Sequence, residues 1–331
     1  MPKTVLVTGA NGFLGQCMVT VLLDAGYHVR AQYRKNLPID DRAEWFQLDF
    51  NTVKNFSKLL SGCDAVLNFA AELNEQSAME SVNAIMPALL CAAAEKAGIV
   101  YFAHASSVVV YGSPKKRRVD EGTLLLDPHA DIGKQYYADP HMREYARTKT
   151  LGEIAIAELR PNMVVDILRP SIIADEDRFL EARSWGTARR IMSLYRRTQY
   201  IAAADAASAI LHLLKIGLSG QRSPSIEAYN LSDESSATYL DLYKQAASMD
   251  VDPIWRKRFN IPLLLDMGKD FARFKRLQIR YPLGAMYVSN KKLRDTGFEF
   301  DASFNEHLRK VLLKLAAMQT DNKKGGTVKR N

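Results

Sequence analysis

The sequence predicts an α/β fold, a doubly wound parallel sheet with a smaller, mostly helical C-terminal lobe. Three observations carry this. A short β-branched run, Thr4-Val5-Leu6-Val7-Thr8, ends in a glycine turn and passes directly into an apolar helical pattern (Phe13, Leu14, Met18, Val19, Leu22, Leu23). Strand-like and helical runs then alternate at the spacings of βαβ units. Polar and reactive residues follow the strand-like runs, where sheets of this kind bind ligands.

The turn is Gly9-Ala10-Asn11-Gly12-Phe13-Leu14-Gly15. Gly9 can take a positive φ, Gly12 lets a phosphate approach the backbone, and Gly15 lets helix pack on strand. The free N–H groups and the dipole of the opening helix make a pyrophosphate site. The spacing is G-x-x-G-x-x-G rather than G-x-G-x-x-G, and an ordinary strand–turn–helix is the alternative.

Gly26 ends the first helix, and residues 27–34 read as the second strand. A third strand is expected over 45–50, a helix over 53–60, a fourth strand over 65–70, a long helix over 77–97 and a fifth strand over 100–105. Residues 112–140 read as a long loop over the site, 142–158 as a helix, and 164–168 as a strand closed by Arg169-Pro170. Residues 205–214 form an apolar helix, and 228–231 a short strand able to rejoin the sheet. The expected division is a dinucleotide-binding domain over 1–170, with returns near 198–215 and 226–232. A substrate lobe takes the rest of 171–318, and 319–331 is a polar, disordered tail.

A hydrophobic fraction of 47% over 331 residues supports a sizeable core. Cys17, Cys63 and Cys91 are isolated, which suits buried thiols in a reducing compartment. No signal peptide precedes the first strand and no uninterrupted apolar stretch approaches ~20 residues, so a cytoplasmic protein without a membrane span is expected. The net charge of +8 gathers in two groups. One is Arg183, Arg189, Arg190, Arg196 and Arg197; the other is Arg256, Lys257, Arg258, Lys269, Arg273, Lys275, Arg276 and Arg280. Such groups suit a phosphorylated small molecule or solvated helix faces. The aromatic interleaving of nucleic-acid binding is absent, and no metal is expected.

The chemistry lies in Ser106-Ser107 after the fifth strand and in Tyr145-Ala146-Arg147-Thr148-Lys149 on the next helix. Tyr145 and Lys149, four apart, share a helical face. An ammonium beside the phenol favours phenolate and lowers its pKa toward working pH. Such a tyrosine exchanges a proton with an alcohol or ketone.

With these motifs in order, the sequence resembles the extended short-chain dehydrogenase/reductase family, of Rossmann fold, up to about residue 315. That family contains nucleotide-sugar epimerases and dehydratases, dihydroflavonol reductases and 3β-hydroxysteroid dehydrogenases. Asn68-Phe69-Ala70-Ala71, Val82-Asn83, Tyr111-Gly112, Leu151-Gly152-Glu153, Leu168-Arg169-Pro170, Tyr229-Asn230-Leu231 and 293–298 carry the resemblance further. It implies that Ser107 is the catalytic hydroxyl, Tyr145 the acid/base and Lys149 the ribose-binding partner, with Ser106 the weaker serine. It places Asp49 and Phe50 at the adenine, and Ala70, Ala71 and Pro170 beside the cofactor. Family members often dimerise through two helices, here 77–97 and 142–158.

The end of the second strand decides the cofactor. An acid there would bind the 2′-hydroxyl of NAD, and an arginine the 2′-phosphate of NADP. The chain carries Gln32, Tyr33, Arg34 and Lys35, with no acid before Asp40, so NADP is expected and NAD is the alternative. The dehydratases' Asp-Glu pair is replaced by Val108 and Val109. In the epimerases an arginine precedes a Tyr-Ile strand; here Thr198-Gln199-Tyr200-Ile201 leads to Asp205, and the nearest arginine, Arg197, is one place off. The expected function is an NADP(H)-dependent oxidoreductase acting on a secondary alcohol or ketone, with a nucleotide-linked keto sugar as the leading small-molecule substrate. The alternatives are a nucleotide-sugar epimerase, a reductase of small apolar ketones, and a cofactor-binding sensor without turnover.

Overall fold

The apolar runs assemble into twelve strands in the described residues: β1 (Thr4–Thr8), β2 (His28–Tyr33), β3 (Glu44–Gln47), β4 (Ala65–Asn68), β5 (Tyr101–Ala105), β6 (Arg118–Val119), β7 (Val164–Pro170), β8 (Ile172–Ala174), β9 (Thr198–Ala202), β10 (Ser225–Leu231), β11 (Ser236–Ala237) and β12 (Tyr287–Val288). The coordinates are a computed structural model. They describe residues 2–36, 40–53, 55–174, 198–237 and 285–325, with isolated positions between 244 and 281.

Seven strands form one parallel sheet in the order β10-β7-β5-β4-β1-β2-β3. The strand order reverses between β1 and β4, which opens a crevice at their carboxyl ends. β1, β4 and β7 are buried along nearly their whole length, as a sheet covered on both faces requires. β10 takes the outer edge beside β7, from Ser225 opposite Val164 to Leu231 opposite Pro170. β8, β9 and β11 form a separate small sheet, so the return near 198 begins outside the main sheet.

The helices are α1 (Phe13–Asp24), α2 (Ser57–Leu60), α3 (Gln76–Glu80), α4 (Met86–Lys96), α5 (Ile132–Gln135), α6 (Pro140–Leu159), α7 (Ala203–Gly217), α8 (Lys291–Asp295) and α9 (Phe304–Gly325). Alternate strand residues face opposite layers. Val5, Val7 and Ala103 pack with Met18 and Leu22 of α1 and Ile210 and Leu213 of α7. Leu6, Val66 and Phe102 pack with Leu90 and Cys91 of α4 and Ile156 of α6.

Several elements differ from the sequence reading. The helix expected from Val53 begins only at Ser57. Asp49 holds the residues before it in turns, its carbonyl accepting from Thr52 N and Val53 N and its carboxylate from Asn51 N. That same turn ends β3 at Gln47 rather than Phe50. The long helix is interrupted by a π turn, Ser81–Ile85, which turns Asn83 inward. Gln76–Lys96 is long and apolar enough to cross a membrane by length and composition alone, but half of its apolar window is buried in the fold, as in a core helix. The loop over the site contains β6 and α5. Helix α9 continues to Gly325, into the stretch expected to be a tail from Gln319. Most of the expected substrate lobe, and both basic groups except Lys275, lie outside the described residues.

A triad of buried Tyr101 and Asp166 with partly buried Arg222 pins the end of the sheet opposite the crevice. Tyr101 donates to Asp166 Oδ2 at 2.8 Å, and Arg222 donates to both carboxylate oxygens at 3.0 and 2.8 Å. Asp166 is fully buried. Removing one partner of a buried ion pair leaves an uncompensated charge. Arg222→Ala is therefore expected to destabilise the fold by about 3–5 kcal/mol in denaturant unfolding, with cofactor affinity of the folded fraction unchanged.

Candidate active site

Gly9 has a φ of +60°, and a Cβ there would lie 2.8 Å from Ala70 N. At Gly15 a Cβ would lie 2.2 Å from the Gly9 carbonyl, so only glycine lets α1 start against the turn. Helix α1 has no side-chain cap, which leaves its first N–H groups facing the crevice for an anion. The turn is fixed from β2: Gln32 Oε1 accepts from Gly9 N at 2.8 Å, and Gln32 Nε2 donates to the Leu48 carbonyl at 2.5 Å. This cradle fits a dinucleotide pyrophosphate.

The cleft above it has a volume of about 340 Å³. Its walls include Gly9, Asn11, Gly12, Phe13, Leu14 and Gly15 from the turn and Arg34, Asp49 and Phe50 from beyond β2 and β3. Ala70, Ala71, Tyr145, Lys149 and Pro170 line the other side. All the residues expected at the cofactor thus meet in one crevice. The sequence reading assigned no role to Gln32, Val82 or Ile173, which also line it. For Gln32 the readable signal was a polar side chain ending a buried strand.

Helix α6 brings Tyr145 and Lys149 to this cleft. Asp139 caps it by accepting from Met142 N at 3.0 Å, and Pro140 occupies its first turn. Gly152 lies so close to the π turn that a Cβ would sit 2.3 Å from the Asn83 carbonyl. Lys149 Nζ is 6.0 Å from the Tyr145 ring centroid and donates to the Ala105 carbonyl at 2.7 Å. Burial depresses the Lys149 ammonium to about 8. Burial pushes the Tyr145 phenol up to about 12, against the lowering effect of its hydrogen bond with Ser107. This reverses the expected lowering of the phenol, because desolvation outweighs the Ser107 hydrogen bond.

The two serines divide. Ser107 is not on the cleft wall but touches Tyr145, and its Oγ accepts from Val109 N at 3.4 Å. Ser106 lines the cleft, yet its hydroxyl donates to Glu153. Glu153 in turn takes Arg169 Nη2 at 2.6 Å, and Arg169 Nη1 donates to the Tyr111 hydroxyl at 3.0 Å. Ser106 thus belongs to a buried network. Val108 and Val109 are buried and place no carboxylate beside Ser107.

A polar row crosses the sheet below Lys149. Ala70 N donates to Thr8 Oγ1 at 3.3 Å, Thr8 donates to Asn68 Oδ1 at 2.6 Å, and Asn68 Nδ2 meets His104 Nδ1 at 3.1 Å. That order makes His104 Nδ1 an acceptor. Burial, with Lys149 close by, holds His104 neutral. On the far side, Asn83 clamps the segment after β4 to α6: its Oδ1 accepts from Glu72 N at 2.9 Å, and its Nδ2 donates to the Glu72 carbonyl at 2.9 Å and to Thr148 Oγ1 at 3.3 Å. Arg34 Nη1 reaches Glu72 Oε2 at 3.0 Å.

The serines are separable by mutation. Ser106→Ala removes a hydrogen bond to a buried carboxylate and is expected to lower stability by about 1.5–3 kcal/mol with turnover per folded molecule retained. Ser107→Ala loses the 3.4 Å bond from Val109 N and the contact with Tyr145, and is expected to cost less stability than Ser106→Ala while lowering turnover. Parallel melting curves and rates check both.

The comparisons agree with this geometry. Residues 5–231 match the NAD dependent epimerase/dehydratase family. The bifunctional dihydroflavonol 4-reductase/flavanone 4-reductase of Pyrus communis is 23% identical over 335 residues, covering 92% of this chain and 88% of that protein. An uncharacterized protein of Sinorhizobium fredii is 31% identical over 182 residues, which is 52% of this chain but 41% of that protein. Among solved structures, a short-chain dehydrogenase/reductase superfamily protein from Agrobacterium tumefaciens with bound NAD superposes with a TM-score of 0.70 at 19% identity, covering 97% of this chain and 99% of that one. A human epimerase family protein with NADPH gives 0.61 at 20% identity, covering 95% and 99%. The chain belongs to the NAD dependent epimerase/dehydratase family, and is an NAD(P)-dependent oxidoreductase or epimerase of that type.

Proposed function

We propose that the chain is an NADP(H)-dependent oxidoreductase that reduces a ketone to a secondary alcohol. The observation that carries this is the Tyr145 phenol, hydrogen-bonded to Ser107 at the end of β5, with Lys149 Nζ 6.0 Å from its ring and both residues lining the cleft. The phenol is protonated at neutral pH and can donate to an oxygen that gains negative charge, and a cation beside the phenolate would bring its acidity toward working pH. Ser107 would polarise the same oxygen. Lys149, buried beneath, would hold a ribose hydroxyl and favour the phenolate left behind. When bound, the nicotinamide supplies the hydride.

For the cofactor, the glycine turn with Asn11, Phe13 and Leu14 would hold the pyrophosphate, and Asp49 and Phe50 the adenine. Ala70, Ala71 and Pro170 would flank the nicotinamide half, and Arg34 would take the 2′-phosphate. A 2′-phosphate site is useful to an enzyme that exchanges its cofactor with a reduced pool, and useless to one that recycles a trapped cofactor. This favours net reduction over epimerisation.

A nucleotide-linked keto sugar remains the first substrate class to test, on the strength of the arginine group between residues 183 and 197, outside the described residues. A small apolar ketone is the second reading, favoured by the near-full-length similarity to a dihydroflavonol reductase. The reading places the protein in the cytoplasm as a homodimer. Ile85 and Leu89 are each 52% exposed, one turn apart on the helix flanking α6, and would form the contact.

Three measurements check this. The purified protein should be largely free of nicotinamide and consume NADPH stoichiometrically with a keto substrate; retained NAD(H) with a sugar interconverted and no net absorbance change would establish the epimerase instead. Tyr145→Phe should lower turnover by ~10²–10⁴-fold with little change in cofactor affinity. Leu89→Asp should shift the sedimentation coefficient from dimer to monomer, and an unchanged value would remove this face from the contact.

A further inference from the structure

We propose that Glu72 sets the cofactor preference of the cleft by competing with a 2′-phosphate for Arg34. The inference rests on the NADP reading above. Arg34 sits on the cleft wall at the end of β2, yet its Nη1 is drawn 3.0 Å from Glu72 Oε2, after β4. The two partners differ in freedom. The Arg34 side chain is 45% exposed, and that of Glu72 only 6%. Asn83 grips the Glu72 backbone at both its N–H and its carbonyl. The other carboxylate oxygen, Oε1, accepts from Asn74 N at 2.9 Å and Glu75 N at 3.2 Å.

The carboxylate is therefore a fixed acceptor that keeps two N–H partners if Arg34 leaves. The guanidinium is the exchangeable partner. It reaches Glu72 through one nitrogen, whereas a phosphate can engage a guanidinium bidentately. Two anions on one guanidinium in a partly buried cleft repel each other, so the phosphate gains Arg34 at the expense of the carboxylate. A cofactor without the 2′-phosphate leaves the pair as it is. Glu72 thus weakens NADPH binding selectively, and tempers a preference that Arg34 alone would make steeper.

The test is direct titration of the cofactor-free protein with NADPH and with NADH, followed by nicotinamide fluorescence. Glu72→Gln keeps the shape and the acceptor for Asn74 and Glu75 but removes the charge. It should tighten NADPH about tenfold and move NADH less than about twofold, with the gain lost when Arg34→Ala is added. Glu72→Asp keeps a charged acceptor but draws it back from Arg34, and should act in the same direction more weakly, which covers a failure of the first variant to fold. Unchanged or weaker NADPH binding in the variants that fold would overturn the proposal, showing that Glu72 orients Arg34 instead. A full gain persisting in the Arg34→Ala background would also overturn it. If Arg34→Ala alone leaves the NADPH to NADH ratio unchanged, the NADP reading itself fails.

Discussion

Lys149 is 1% exposed, and its ammonium rests on the Ala105 carbonyl at 2.7 Å. A cation taken out of water is tolerated where the fold supplies partners, and this one is supplied by the terminal carbonyl of β5. The requirement fixes how α6 crosses the sheet. Gly152 against the π turn and Asn83 against Thr148 set the depth of the helix, and Asp139 sets where it starts. Tyr145, one turn earlier, then lands on Ser107.

The same clamp couples the two halves of the cleft. Asn83 holds α6 with Nδ2 and the segment after β4 with both amide ends. The Glu72 carboxylate, and through it Arg34, is therefore indexed to the helix that carries Tyr145. The row from Ala70 N–H through Thr8 and Asn68 to His104 adds a second cross-brace under the same strand ends. A π turn is an uncommon device, and here it aims one asparagine at two segments at once.

The fold was legible because its signals are local. β-branched runs, a glycine turn and helical periodicity identify the strands and helices without reference to the rest of the chain. The cleft residues were legible because they follow strands whose order the βαβ pattern dictates. What the sequence hid is pairwise. Ser106 and Ser107 are alike by position, and only the Glu153–Arg169 network separates the one from the Tyr145 contact of the other. The rise of the Tyr145 phenol depends on the whole desolvated surround, which a spacing of four residues does not encode. Glu72 reads as an ordinary loop acid until Arg34 is found upon it.

The central claim is that Tyr145, on its buried lysine, protonates a ketone as hydride arrives from a reduced nicotinamide. The direct measurement is reduction of a keto substrate with NADPH carrying deuterium at both C4 positions, with the product read by mass spectrometry. The account predicts deuterium on the new carbinol carbon, one label per NADPH consumed. Unlabelled product, or an interconverted sugar without consumption of NADPH, would contradict it.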